Sequence, residues 1–247
     1  MSSFIDNLAP WPTEDYEEFG PVERKPVNKI QRLVGRFLGR NWIRIPHVTH
    51  HDDIDITAIE ARRFAANTKK SGPKVTPLAP LIKALAKALR DFPQFNASLS
   101  DSGDELVIKD YCHIGVAVET SQGLLVPVLR DCDSKSVSII AAELAAISEK
   151  ARVKGLSMQE MAGGSISVSS LGHIGGTAFT PIVNAPQVAI LGVTRAYLRP
   201  QPATDGSIEW RNCLPLSLSY DHRVINGTDA ARFVRAIGDN LAVLEID

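Results

Sequence analysis

The sequence predicts one mixed α/β domain, and three observations predict it. Amphipathic helical segments and short apolar strands follow one another through residues 28–247. They do so without the strict strand–helix–strand rhythm of a doubly wound parallel sheet. No internal repeat interrupts them. The glycine-rich loop with Gly172, Gly175 and Gly176 lacks the Gly-x-Gly-x-x-Gly spacing and runs into Thr180-Pro181, not into a helix, so a dinucleotide-binding reading fails. Pattern alone leaves α/β and α+β both open.

The elements follow in order. Residues 1–27 are rich in proline and acid and read as an arm or linker remnant, with Trp11, Tyr16 and Phe19 expected to pack on something. From Asn28, the apolar residues Ile30, Leu33, Val34, Phe37 and Leu38 recur at helical spacing. Ile43 to Ile56 reads as a strand, and Thr57 begins a helix containing Ile59 and Phe64. Pro77 to Phe92 is a helix with Leu78, Leu81, Ile82, Leu85 and Leu89 inward. Short strands follow near Leu106–Ile108, Tyr111–Val118 and Leu124–Leu129. His113, inside one of them, reads as a sheet histidine with its hydrogen bonds satisfied. Ser136 caps a long helix to Val153, and Ser157 and Glu160 stand at capping-box spacing. Ser165–Ser169 and Gln187–Thr194 read as strands, and Arg199 to Ser207 as a surface hairpin connection.

Composition excludes several classes. The chain has 247 residues, 44% hydrophobic and 22% charged, with a net charge of −1, so no global field draws in nucleic acid or an anionic membrane. No apolar run approaches the ~20 residues of a membrane span. The first residues lack the basic and apolar regions of a signal peptide. Cys112, Cys132 and Cys213 are too widely spaced for a zinc site or disulfide framework, which fits reduced thiols and a cytoplasmic location. His47, His50 and His51 beside Asp52, Asp53 and Asp55 invite a metal reading. In a strand, however, His50 and His51 face opposite ways, so no metal site is expected.

The most informative stretch is Pro215 to Thr228. Leu214, Leu216 and Leu218 alternate with Pro215, Ser217 and Ser219, as in a half-buried strand. Asn226-Gly227 signals a turn, Thr228 reads as a helix cap, and Ala230, Phe233, Val234, Ile237 and Leu241 anchor the helix that follows. His222 is thereby placed where a strand gives way to a rigidly held turn, a sound place for a catalytic base.

Asp221-His222-Arg223-Val224-Ile225-Asn226-Gly227 resembles the active-site signature of the dihydrolipoamide acyltransferase component of 2-oxo acid dehydrogenase complexes. That signature has a His-x-x-x-Asp-Gly core, usually preceded by Asp and followed by Arg. Ser169 to Pro186 resembles the acetyl-transferring members. Ile45-Pro46-His47-Val48-Thr49, Phe95 to Leu99 and Gly123 to Val128 match as well, so the resemblance runs from about Glu14 to Asp239.

The resemblance implies a two-layer sandwich of the chloramphenicol acetyltransferase type, with a mixed sheet and helices packed on one side, as the catalytic domain over residues 28–247. It implies acetyl transfer, or transfer of another short acyl group, between dihydrolipoamide and coenzyme A. His222 would be the general base and Ser169 the hydroxyl that stabilises the oxyanion. Asn226 stands where Asp is usual. Thr180, Ile182 and Asn184 are candidates for lining the substrate channel. Coenzyme A enters as a substrate, the lipoyl group comes from another domain or chain, and the sites lie between the subunits of a homotrimer. Two alternatives stand beside this: an inactive scaffold of the same fold, with Asn226 as a sign of decay, and a xenobiotic O-acetyltransferase, against which Asp221 speaks.

Overall fold

The computed structural model describes residues 9–69, 72–121 and 123–246. Helix α1 (Lys29–Arg44) opens on a capping box in which the Asn28 side chain accepts from the Gln31 N–H and the Gln31 side chain from the Asn28 N–H. The strand expected from Ile43 begins only at His47, because Ile43 and Arg44 complete the last turn of α1. Strand β1 (His47–Asp55), α2 (Thr57–Thr68) and α3 (Leu78–Asp91) follow. Then come two small hairpins, β2 (Ala97–Leu99) with β3 (Leu106–Ile108), and β5 (Val118–Thr120) with β6 (Gly123–Leu125). Strand β4 (Ile114–Val116) precedes the second hairpin and β7 (Val128–Leu129) follows it, so two of the expected strands are each broken in two. Helices α4 (Val137–Val153) and α5 (Met158–Met161) start where Ser136 and Ser157 cap them. The chain ends with β8 (Ile166–Ser170), β9 (Ala189–Val193), β10 (Tyr197–Pro202), β11 (Ile208–Asp221) and α6 (Gly227–Val243).

The main sheet has seven strands in the order β1-β11-β9-β8-β4-β7, with β10 paired to the first half of β11. It is mixed: β9–β8 and β8–β4 are parallel, and the remaining pairs are antiparallel. The hairpin expected at Arg199 to Ser207 is present, with Arg199 to Pro202 in its first strand; Pro200 and Pro202 fit there because β10 pairs along one side only, and proline is tolerated at such an edge.

Strand alternation gives the sheet two unlike faces. On one, Leu214, Leu216, Leu218 and Tyr220 of β11 join Val168 and Leu191 in the core, against Leu81, Leu85 and Leu89 of α3 and Phe233, Val234 and Ile237 of α6. Helices cover this side only, as the resemblance implied. The other face is polar. Ser217 hydrogen-bonds His51 Nδ1 at 2.9 Å, and Ser219 hydrogen-bonds Thr49 at 2.7 Å. It is roofed by the segment 171–187, whose Val183 joins Ile45 and Ile190 in a second, small core.

Trp11 and Phe19 of the arm are 88% and 79% exposed, so within one chain they do not pack as expected. Leu33, Phe37, Trp42 and Ile43 of α1 are exposed too. Among the described residues no helix is long and apolar enough to cross a membrane.

Candidate active site

His222 is the first residue after β11, and the backbone around it is fixed from several directions. The Asp221 N–H donates to the Val188 carbonyl, and the Asp221 carbonyl accepts from the N–H groups of Val224 and Ile225. The buried Asp221 carboxylate accepts from the Arg223 backbone N–H at 3.0 Å, from Nε at 2.9 Å and from Nη2 at 2.6 Å. Asp221 in turn raises the guanidinium pKa of Arg223 through those hydrogen bonds. The His222 N–H donates to the Pro46 carbonyl at 3.1 Å. Its imidazole, by contrast, is exposed, lies 5.9 Å from the Tyr220 ring and makes no side-chain hydrogen bond among the described residues. A rigid backbone thus presents an unengaged ring whose nitrogens are open to exchange a proton.

The helix cap is Asn226, not Thr228. Its Oδ1 accepts from the Asp229 N–H at 2.9 Å, and its Nδ2 donates to Asp229 Oδ2 at 2.8 Å. Asn-Gly read as a turn because the same residues that make turns also start helices. Asn226→Asp keeps a capping acceptor but sets two carboxylates against each other. The variant is expected to lose about 0.5–1 kcal/mol of stability near neutral pH and to gain no activity. The penalty fades as pH falls through ~4 and the carboxylates protonate, which urea midpoints at two pH values would check.

Ser169 lies near the end of β8, half-buried on the polar face, with no side-chain hydrogen bond among the described residues. In the ladder it is aligned with Gly192 of β9, and Gly192 with Ser217 of β11. The Phe179 ring fills the space over Gly192, where an added Cβ would come within 2.8 Å of Cζ and 2.9 Å of Cε1. Gly192→Ala is expected to cost roughly 1–3 kcal/mol and to displace Phe179, next to Thr180. A thermal melt and a substrate KM together would show both effects. Thr180 is exposed, and Ile182 and Asn184 are half-buried, on the same roofing segment.

Within one chain Ser169 and His222 do not meet. The Ser169 row crosses β11 at Ser217, two strands over and five residues short of His222. At ~3.3 Å per residue and ~4.8 Å per strand their Cα atoms are about 19 Å apart. A cavity of about 420 Å³ on this sheet is lined by His51, Asp53, Thr177, Arg199 and Arg235, not by His222 or Ser169. Its arginines are engaged: Arg199 reaches Asp53 at 3.5 Å and Arg235 reaches Asp52 at 2.6 Å.

The three cysteines are free, buried thiols. Burial pushes the Cys112 thiol up to about 12 and Cys132 up to about 11, and it raises Cys213 as well, so none is a thiolate at neutral pH. The three clustered histidines go separate ways. His47 bonds Val183, His51 bonds Ser217, and His50 turns to the helical face. His113 accepts from the Asp131 N–H at 3.0 Å. Sequence reasoning missed Asn41 and the use of His47. The motif from Ile45 to Thr49 marked the place but not the contact.

The chain belongs to the family of 2-oxoacid dehydrogenases acyltransferase (catalytic domain), whose model matches residues 19–245. It is 51% identical over 238 residues to the dihydrolipoyllysine-residue acetyltransferase component of the pyruvate dehydrogenase complex of Pseudomonas aeruginosa, covering 95% of this chain and 43% of that protein. The chain thus spans less than half the length of that relative. Its structure is similar, at 49% identity and TM-score 0.91 over 96% of this chain and 98% of the other, to a dihydrolipoamide acetyltransferase of Azotobacter vinelandii studied for the catalytic role of a serine, a histidine and an asparagine. The cubic core of a pyruvate dehydrogenase multienzyme complex matches at 50% identity and TM-score 0.91, with the same coverage of 96% and 98%. Chloramphenicol acetyltransferase, at 14% identity and TM-score 0.59 over 83% of this chain and 94% of that one, shares the fold.

Proposed function

We propose that this chain moves an acetyl group between the thiol of dihydrolipoamide and the thiol of coenzyme A, at sites formed between copies in a homotrimer. The observation that carries the reading is the free imidazole of His222 on a clamped turn, about 19 Å from the free hydroxyl of Ser169 in the same chain. A second copy brings the two together. The exposed apolar residues of α1 and the arm offer the surface for that contact.

His222 takes the proton from the attacking thiol. The thiolate adds to the acetyl carbonyl carbon of the thioester, and the carbonyl oxygen becomes an oxyanion that accepts a hydrogen bond from Ser169 of the neighbouring copy. Collapse breaks the bond to the departing sulfur, which takes the proton back from His222. One preorganised donor at the oxyanion is worth ~10²–10³ in rate. Asn226 supports His222 by starting the helix behind it. Thr180, Ile182 and Asn184 border the path of the substrates, and the lipoyl group is supplied by another domain or chain.

The test is acetyl transfer from acetyl-coenzyme A to free dihydrolipoamide by the purified chain. Turnover that needs both thiols supports the reading. A folded trimer with no turnover would overturn it in favour of a scaffold, and turnover only with a hydroxyl acceptor in favour of an O-acetyltransferase.

A further inference from the structure

The segment Ile45-Pro46-His47 touches both halves of the site. The Pro46 carbonyl accepts the His222 N–H at 3.1 Å. One residue on, His47 Nε2 accepts the N–H of Val183, in the segment that carries Thr180, Ile182 and Asn184, at 3.0 Å. The other ring nitrogen, Nδ1, lies 2.9 Å from the Ile45 carbonyl. A carbonyl only accepts and a backbone N–H only donates, so the ring is neutral with its proton on Nδ1. Its orientation is held further by Trp42, stacked at 5.5 Å between centroids.

Val183 is captured on every side. Its side chain is fully buried between Ile45 and Ile190. Its carbonyl accepts from Asn41 Nδ2 at 3.0 Å, and Asn41, itself 3% exposed, is oriented by Arg40, whose Nε and Nη2 donate to Asn41 Oδ1 at 3.1 and 2.9 Å. The polar contacts reach Val183 from two different elements, the end of α1 and the start of β1. Near the other end of the 171–187 segment Gly172 is held in the same manner but less tightly, its N–H by Ser170 and its carbonyl by Arg195, each at 3.4 Å.

We infer that His47, as a neutral imidazole protonated at Nδ1, is a positioning residue that sets the segment carrying Thr180, Ile182 and Asn184 in register with the turn carrying His222. It touches no reacting atom. The kinetic part of this inference rests on the acyltransfer reading; the structural part does not.

The test compares His47→Leu, which keeps bulk and removes both ring nitrogens, with His47→Gln, whose Oε1 can stand where Nε2 accepts. Amide hydrogen exchange of peptides spanning 179–187 is read by mass spectrometry, with trimer content followed by sedimentation. Exchange at Val183 should rise about tenfold or more in His47→Leu and return close to wild type in His47→Gln. The kcat/KM for acetyl transfer should fall ~10–100-fold in the former and recover in the latter. Should His47→Leu fail to assemble, Asn41→Ala loosens the same residue from its other side and is read in the same way. Unchanged exchange in both His47→Leu and Asn41→Ala would overturn the inference, as would a glutamine variant no better than leucine. If the wild type proved inactive, the acyltransfer reading would fall while the exchange data still decided the clamp.

Discussion

Replacing His222 with alanine should lower acetyl transfer by ~10²–10⁴-fold while leaving the fold intact. The size follows from the thiols. With a pKa near ~8.5, each is only a few per cent thiolate at neutral pH, so the base supplies most of the nucleophile. The fold is spared because the imidazole is exposed and makes no hydrogen bond among the described residues, while the contacts that fix the turn are made by backbone and by Asp221 and Arg223. Stability should therefore change by no more than about 0.5 kcal/mol. The variant should also regain part of its rate as pH rises toward ~8.5, since the thiols then ionise unaided. Rates across pH, with a urea melt of the same preparation, check all three points. A loss of activity that tracked a loss of fold would mean that His222 is structural.

Phe233→Ala should have the largest effect on stability. The ring is fully buried, stacks on Phe95 with centroids 4.0 Å apart and planes at 5°, and meets the edge of Phe92 at 5.7 Å. Removing it costs the transfer of a phenyl group, the aromatic contacts and a cavity, together about 3–5 kcal/mol. Against a total stability of ~5–15 kcal/mol this is a large share. The urea midpoint should drop accordingly. The contrast with His222→Ala is instructive, since α6 carries Phe233 on its buried face and His222 stands just ahead of its exposed start.

Much of this was legible in the chain because the physics there is local. The alternation of Leu214, Leu216 and Leu218 marked a central strand, helical spacing marked α3, α4 and α6, and Ser136 and Ser157 marked two caps. What was hidden was non-local. Arg199 to Ser207 read as a hairpin connection, but nothing in the spacing of Pro200 and Pro202 says that they belong to its edge strand and not to its loop. Ser217 and Ser219 read as the wet side of a strand, yet they are buried, because the segment 171–187 folds back over them and they bond His51 and Thr49 from the neighbouring strand. His47 stood in a recognisable motif, but its partner Val183 is 136 residues away. The apolar residues of α1 recurred at helical spacing, yet Leu33, Phe37 and Leu38 are exposed within one chain, because helix periodicity marks an apolar face and not what covers it.

Subunit mixing shows whether base and oxyanion donor come from different copies. Ser169→Ala and His222→Ala chains are prepared separately, shown to be nearly inactive, and then unfolded and refolded together in equal amounts. In random mixed trimers, on the order of a quarter of the interfaces should join an intact His222 of one copy to an intact Ser169 of the next, so activity should reappear at about that fraction of wild type. A mixture no more active than its parents, in trimers shown to have exchanged subunits, would mean that each chain carries a whole site of its own.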